Sequence, residues 1–324
     1  MCGLVGVRLF VDVEFTGQQV GLVAGGLQGA ARLHDWGVIR AEGADARSFL
    51  HGQLTQDVEH LGTEQARLAG YCSVKGRLLA TFVVWRRGNE EVLLACSADV
   101  LPAVLKRLSM FVLRAKCKLS DASAEVPLWG VAGALGPAAA VWDRVAQGQA
   151  DALRLPDGQA AGHAVQRWLW AGTQPPAMPT LDGATWLGLE ASSGVARVMA
   201  ATSEQFVPQM VNLELVGGVN FQKGCYPGQE IVARSQYRGT LKRRAQVLGS
   251  AVLLQAGQEV FHDADPGQPA GRVVLAGNLP GTGPVALVEL KLAALDGGAL
   301  HAGAPAGPLL QRGTLPYAIP TEPA

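Results

Sequence analysis

Apolar residues recur along this chain in short runs, and the period of each run predicts an element. Trp36, Val38 and Ile39 predict a strand over residues 32–41. Phe49, Leu50 and Leu54 share one face of a helix expected over 44–61, with Asp45 near its start. Residues 66–71, 78–85 and 92–96 read as strands, and Arg87-Gly88-Asn89 reads as the turn joining the last two. Val100, Val104, Leu105 and Leu108 lay an apolar stripe along a helix over 99–111, and another strand begins at 117–119. A second unit of mixed type is expected from about Val126. It has a helix around 138–146, a proline-containing connector over 172–179, and a helix over 185–195 led by Trp186 and Leu187. From about Lys242 the pattern changes. Short β-type runs at 247–248, 252–254, 273–275 and 285–288 alternate with Gly/Pro/Asp turns, the mark of a small β-barrel or sandwich. Residues 314–324 form a proline-rich tail expected to pack on the surface.

The fold class is therefore α+β. The expected divisions are an N-terminal extension over 1–31 with little periodicity, a first α+β domain over 32–125, a second over 126–241, and a C-terminal barrel over 242–324.

Composition narrows the function classes. With 48% hydrophobic and 17% charged residues the chain can bury a core. Lys plus Arg (27) equals Asp plus Glu (27), so a general nucleic-acid or membrane-surface role is not expected, and an anionic ligand needs a local cluster of cations. No run of about 18 apolar residues predicts a membrane span. The five cysteines (Cys2, Cys72, Cys96, Cys117 and Cys225) are odd in number and widely spread. That argues against a disulfide framework or a metal centre built by this chain alone, and it fits a reducing cytoplasm. The six histidines show no metal-binding spacing, so no metal site is expected.

The densest chemistry lies in Lys223-Gly224-Cys225-Tyr226-Pro227-Gly228-Gln229-Glu230. Pro227-Gly228 reads as a tight turn, with proline presetting φ at the first position and glycine accepting positive φ at the second. A helix should follow over 229–238, with Glu230 in its first turn and Gly239 at its stop. A thiol just ahead of a helix N-terminus, with an ammonium nearby, is the setting of a reactive thiolate. Cys225 is thus the candidate nucleophile, redox relay or transient ligand, and Lys223 its stabiliser. The bland reading is a structural cysteine in a glycine-bearing loop.

This segment resembles the YgfZ family of folate-binding proteins, relatives of the glycine-cleavage T protein, an aminomethyltransferase that uses tetrahydrofolate. Residues 204–213, Gly217-Gly218, Phe221-Gln222, 231–234, Tyr237-Arg238-Gly239 and Lys242-Arg243-Arg244 continue the likeness, as do Asp35-Trp36 and 52–58. It runs over about 32–320 and is strong at 185–244. It implies an aminomethyltransferase-like body in two interlocked parts, with a C-terminal β-barrel, around a central hole that binds folate. It further implies tetrahydrofolate or a derivative as cofactor, and a role in assembly or repair of iron–sulfur enzymes, those that modify tRNA among them. The partners it implies are those enzymes or cluster-assembly proteins.

The resemblance also suggests residues for the folate. Trp36 and Trp186 match aromatic positions near it, and an indole stacks well on a pteridine, although core tryptophans would look the same. Gly224 and Gly228 allow close backbone approach. Tyr226, Gln229 and Glu230 are candidates to meet the pteridine, but Glu230 could equally pair with Arg234 one turn on. Arg234 and Arg238, with Lys242, Arg243 and Arg244, could neutralise folate carboxylates or simply form a solvated helix end. The aminomethyltransferase carries an aspartate where this chain has Cys72-Ser73-Val74-Lys75-Gly76-Arg77, which holds no carboxylate, so ordinary glycine-cleavage activity is not expected. A one-carbon or sulfur transferase and a non-catalytic interaction module stay open as alternatives. Met1-Cys2-Gly3 also resembles the start of glutamine amidotransferases, without the rest of that pattern.

Overall fold

The computed structural model describes residues 27–136, 138–237 and 241–320 of the 324. Along the chain run β1 (Gly29–Arg32), β2 (Trp36–Glu42), α1 (Ala46–His51), β3 (Ala66–Cys72), β4 (Leu78–Arg87), β5 (Glu91–Ser97), α2 (Leu101–Met110), β6 (Lys118–Asp121), β7 (Leu128–Ala132), β8 (Arg144–Gln147), β9 (Ala150–Ala160), β10 (His163–Ala171), α3 (Gly183–Ser192) and α4 (Gln229–Tyr237). Six further strands follow: β11 (Arg243–Ser250), β12 (Glu259–His262), β13 (Gly271–Leu279), β14 (Gly283–Lys291), β15 (Leu300–Ala302) and β16 (Leu309–Arg312).

They make two five-stranded sheets, ordered β3-β4-β5-β2-β6 and β1-β7-β10-β9-β8, and a closed barrel, β11-β14-β13-β12-β15-β16. The expected strand over 32–41 is β2, which begins at Trp36, while Arg32 ends a separate strand, β1, in the other sheet. β1 pairs antiparallel with β7, and the chain turns at His34-Asp35 before β2 joins β5. This crossing interlocks the two parts of the body.

One face of the first sheet packs on α1 and α2 through Ile39, Leu50, Phe82, Leu94, Val104 and Leu108. A larger core joins its other face to the second sheet, α3 and the barrel through Trp85, Leu153, Trp186, Val274 and Leu287. Burial on this scale, at roughly 25 cal/mol per Å² of apolar surface, is what holds the three parts as one body. Small residues set the spacing. A Cβ on Gly130 would overlap the Trp186 ring, and one on Gly277 would overlap the α3 backbone at Gly188. The tail is fixed by Tyr317, whose hydroxyl donates to Gly194 O (2.7 Å) and lies 3.2 Å from Asn212 Nδ2.

Two expected helices differ. The helix over 44–61 ends at His51, because Gly52 follows and Leu54 turns away to bridge with Tyr71 on β3. The helix around 138–146 is absent. Trp142 has φ +74°, a left-handed value that cannot continue a right-handed helix, and residues 144–147 pair with β9 as β8. In the barrel, 252–254 is irregular rather than a strand, with Val252 and Leu253 exposed.

Asp151 on β9 is the polar pin between the sheets. It is almost fully buried, accepts from Trp85 Nε1 (3.0 Å) and Arg87 Nε (2.7 Å) of the first sheet, and from Arg144 Nε (2.8 Å) of the second. Removing it strands two arginines and an indole N–H. Asp151→Ala is expected to cost about 3–5 kcal/mol, read as a lowered urea midpoint. A loss below about 1 kcal/mol would show that the apolar core alone sets the sheet packing.

Candidate functional site

Pro227 and Gly228 occupy the centre of a turn closed by Gln229 N donating to Tyr226 O (3.2 Å), with Gly228 at φ +78°. That is the expected geometry, and α4 starts immediately after it. The turn lies on the β3–β4 hairpin. A Cβ on Gly228 would come within 2.7 Å of Gly76 Cα, and one on Gly76 (φ +68°) within 2.8 Å of Ile231 Cβ. Two glycines facing each other allow the motif to rest on the Cys72–Arg77 stretch, which holds no carboxylate.

Lys223 fixes the other end of the loop. Its Nζ donates to Leu54 O (2.8 Å) and to His51 O at the end of α1, and lies 4.9 Å from the centre of the buried Tyr226 ring. Burial pulls its pKa down to about 8, against the opposing pull of Asp57 and Cys225. Asn220 Oδ1 accepts from the backbone N–H groups of Gln222 and Lys223 (2.9 and 3.1 Å). The loop is thus braced, and Cys225 stands exposed on it. The other described cysteines differ. Burial pushes the thiols of Cys72 and Cys96 up to about 12 and that of Cys117 to about 11.

Beside the loop lies a pair that the sequence reading did not single out. His51 Nδ1 lies 3.0 Å from Asp57 Oδ1, and the Glu59 backbone N–H points at the same nitrogen (3.4 Å). The His51 Nε2 is 3.7 Å from where a Cβ on Gly224 would sit. Asp57 also accepts from His60 N (3.1 Å) and faces His60 Nδ1 (2.9 Å) and Arg67 Nη1 (3.7 Å). Burial would raise its pKa, but these donors outweigh it and bring it down to about 2.

A separate cavity opens where the two sheets meet, walled by Trp36, Phe82, Trp142, Arg167, Glu190 and Arg197. Its free space is about 30 Å³, room for one water. Arg197 Cζ sits 4.8 Å from the centre of the Trp36 ring, and Trp36 Nε1 is buried with no hydrogen-bond partner among the described residues. Glu190 grips Arg197 through both oxygens (3.2 and 3.0 Å). Burial pushes the carboxyl above its ordinary range, against the pull of Arg197. Trp142 divides this cavity from an open groove of about 240 Å³ lined by Gln56, Gln65, Arg67 and Gly217. Its backbone is pinned by Trp142 N to Arg154 O and Ala66 N to Trp142 O, both 2.7 Å.

The expected ligand residues divide accordingly. Trp36 faces the cavity. Trp186 does not line it: the side chain is fully buried, packed on Gly130 behind Arg167, as the core reading has it. Glu230 and Arg234 are both exposed, and no ion pair joins them. The basic run is dispersed, because Arg243 bonds Glu289 (2.7 Å) and buried Arg244 bonds Glu214. Gly224, Tyr226, Gly228 and Gln229 belong to the thiol loop rather than to the cavity wall. Arg238, Gly239 and Cys2 lie outside the described residues. Of the residues missed, Glu190 left a signal, as the sole charge in an otherwise uncharged helix, and so did Arg167, a cation inside an apolar strand.

No protein-family model matches the chain. It is 34% identical over 236 residues to the tRNA-modifying protein YgfZ of Edwardsiella ictaluri (strain 93-146), covering 65% of this chain and 68% of that protein. It is 31% identical over 225 residues, with the same shares, to the tRNA-modifying protein YgfZ of Serratia proteamaculans (strain 568). Among solved structures, the glycine cleavage system aminomethyltransferase T from Bartonella henselae shares the fold. The TM-score is 0.68, at 17% identity, over 89% of this chain and 86% of that one.

The Asp57 cluster makes a pH prediction. A carboxyl whose folded pKa lies near 2, below its ordinary 3.8, stabilises the fold above 3.8 and loses that contribution as pH falls toward 2. The urea-unfolding difference between wild type and Asp57→Asn should be about 2 kcal/mol near neutrality and shrink steadily below pH of about 4. A difference that stays constant across that range would exclude the charge of Asp57 as its source.

Proposed function

The chain belongs to the YgfZ family, and on that premise we propose that it is a folate-binding accessory protein. It holds tetrahydrofolate in the cavity between the sheets and uses the Cys225 thiol to support assembly or repair of iron–sulfur enzymes, including those that modify tRNA. The observation that carries this reading is the contrast among thiols. Three described cysteines are inert by burial or raised pKa, while Cys225 stands open to solvent on a loop braced by Lys223, Asn220 and paired glycines. Reactive thiols sit in partly exposed settings near cationic groups, whereas buried structural ones are inert.

The donor set of the cavity fits a pteridine. Glu190 accepts, Arg167 carries donors, and the Trp36 and Trp142 rings bound the space, while the donors of Arg197 are taken up by Glu190, Asp35 and Ser97. Free volume is the obstacle, so entry requires the half-exposed Trp142 indole to swing toward the groove and join the two spaces. Folate there would supply one-carbon chemistry or serve as a bound regulator. The protein's own residues orient the ring, exclude water and keep the thiol accessible. With no carboxylate on the hairpin turn, glycine-cleavage chemistry is not part of the proposal.

The test separates binding from thiol chemistry. In cells whose only copy carries Cys225→Ala, the tRNA modifications that depend on iron–sulfur enzymes should fall to the level of a deletion. The purified variant should keep its unfolding free energy in urea within about 0.5 kcal/mol, as expected of an exposed site, and bind tetrahydrofolate as wild type does. Unchanged modification in those cells would remove the thiol from the function. Absence of any calorimetric signal with tetrahydrofolate and the wild-type protein would remove the folate.

A further inference from the structure

Another polar space lies away from the central cavity and shares none of its lining residues. It holds about 220 Å³ between the turn of the β3–β4 hairpin, the segment at 205–210 and barrel strands β11, β13 and β14. Three guanidinium groups line it: Arg77 from the hairpin turn, Arg243 at the start of β11 and Arg272 on β13. The one carboxylate in its wall is Glu289 of β14, 4% exposed, and all three arginines act on it. The barrel register sets two of them in place. Arg272 pairs directly with Glu289, and Arg243 stands two residues along, opposite Lys291. A Cβ on Gly271 would lie 2.1 Å from Glu289 O, so glycine is what lets β13 approach β14 this closely. Apolar packing does not call for such a gathering, because like charges repel and each half-buried guanidinium gives up part of its hydration.

The donors are only partly used. Arg243 meets both Glu289 oxygens through Nη1 alone (2.7 and 2.8 Å), leaving Nε and Nη2. Arg272 spends Nη1 on Gly257 O (2.8 Å) and Nη2 on the more exposed Glu259 (3.2 Å), leaving Nε. Arg77 spends Nη1 on two backbone carbonyls, Gln205 O (2.6 Å) and Glu204 O (3.4 Å), leaving Nε and Nη2. Among the described residues no carboxylate lies within ion-pair reach of Arg77. With Arg243 on Glu289 and Arg272 on Glu259, the charge left over at the pocket is that of Arg77.

We propose that this pocket is an oxyanion site that takes a phosphoryl group. Guanidinium forks suit carboxylate and phosphate alike, through paired charge-assisted hydrogen bonds. Here the forks come from three separate elements around one space. That arrangement matches the several oxygens of a tetrahedral phosphoryl group better than the two of a planar carboxylate. Glu289 serves the site by fixing Arg243, and the bound anion neutralises Arg77. The proposal uses neither the folate reading nor the thiol, so it stands or falls by itself.

The test is calorimetric titration of the full chain, at neutral pH and low salt, with inorganic phosphate, adenosine monophosphate and acetate. Wild type should bind phosphate at one site per chain and prefer it to acetate by at least about 10-fold. Arg77→Gln should weaken phosphate binding by at least about 10-fold. Lys106→Gln, which removes one charge from the exposed face of α2, should leave it within about 2-fold. Arg77→Gln also removes the tie to Gln205 O, so Arg272→Gln is the second variant and should lose affinity in the same sense. Arg77→Lys should fall between wild type and Arg77→Gln, since the charge survives without the fork. Adenosine monophosphate binding tighter than phosphate assigns the site to a phosphate monoester, and binding no tighter assigns it to the free anion; both uphold the proposal. Absence of saturable phosphate binding by wild type overturns it, and that measurement needs no variant to fold. Equal affinity for acetate, or equal losses in Arg77→Gln and Lys106→Gln, reduces the effect to diffuse charge and overturns it as well.

Discussion

The fork of Arg197 is the constraint on which the rest of this molecule depends. One guanidinium, nearly fully buried, ties the turn before β2 (Asp35), the end of β5 (Ser97) and α3 (Glu190), three elements far apart in sequence. Burial alone would lower its pKa, yet Glu190 and Asp35 hold it above the ordinary value. Such a buried network is tolerable only when every donor is spent, since a broken member leaves an uncompensated charge worth several kcal/mol. It therefore fixes α3 against the first sheet. It also leaves a gap, because charged groups at a three-way junction cannot interdigitate as aliphatic side chains do. The cavity is what remains between Trp36, Trp142, Arg167 and this fork.

Seen this way, the aminomethyltransferase-like architecture and the candidate ligand site have one cause. The crossing of β1 into the second sheet brings Asp35 under α3. The glycines at 130, 188 and 277 draw α3 close to β7 on one side and to the barrel on the other. With α3 so placed, Glu190 cannot reach solvent and must pair with Arg197. Trp186, one turn earlier on α3, becomes a backstop for Arg167 rather than a surface for a ligand.

The sequence made some of this legible and hid the rest for identifiable reasons. The Pro227-Gly228 turn and the start of α4 were readable because each rests on local backbone preference, which neighbours in space did not override. The barrel was readable as a change of period near Lys242. The helix expected at 138–146 failed because alanine-rich composition favours helix only until a partner strand competes, and β9 won residues 144–147. Trp142 at positive φ carries no local signature at all, since only its tertiary hydrogen bonds to Ala66 and Arg154 hold it there. Arg243 and Arg244 looked like a free basic run because their partners, Glu289 and Glu214, lie 46 and 30 residues away. Pairings at that separation are invisible to any reading of neighbours along the chain.

The same distance problem separates thiol from cavity in the sequence, while the fold joins them. Residues 51–57 serve both. Their carbonyls at His51 and Leu54 hold Lys223, and Thr55 O accepts from Asn220 N (2.9 Å). Thr55 Oγ1 and Gln56 Nε2 bond the carbonyls of Gly218 and Gly217 (2.6 Å each), and Gln56 and Gly217 line the groove beside Trp142. These bonds run from the loop that connects α1 to β3 to the strip that ends in Cys225. A thiol on an unbraced loop would sample many positions and lose much of the benefit of proximity to any bound group. Here the loop that carries the sulfur is held by the same segment that lines the groove beside Trp142.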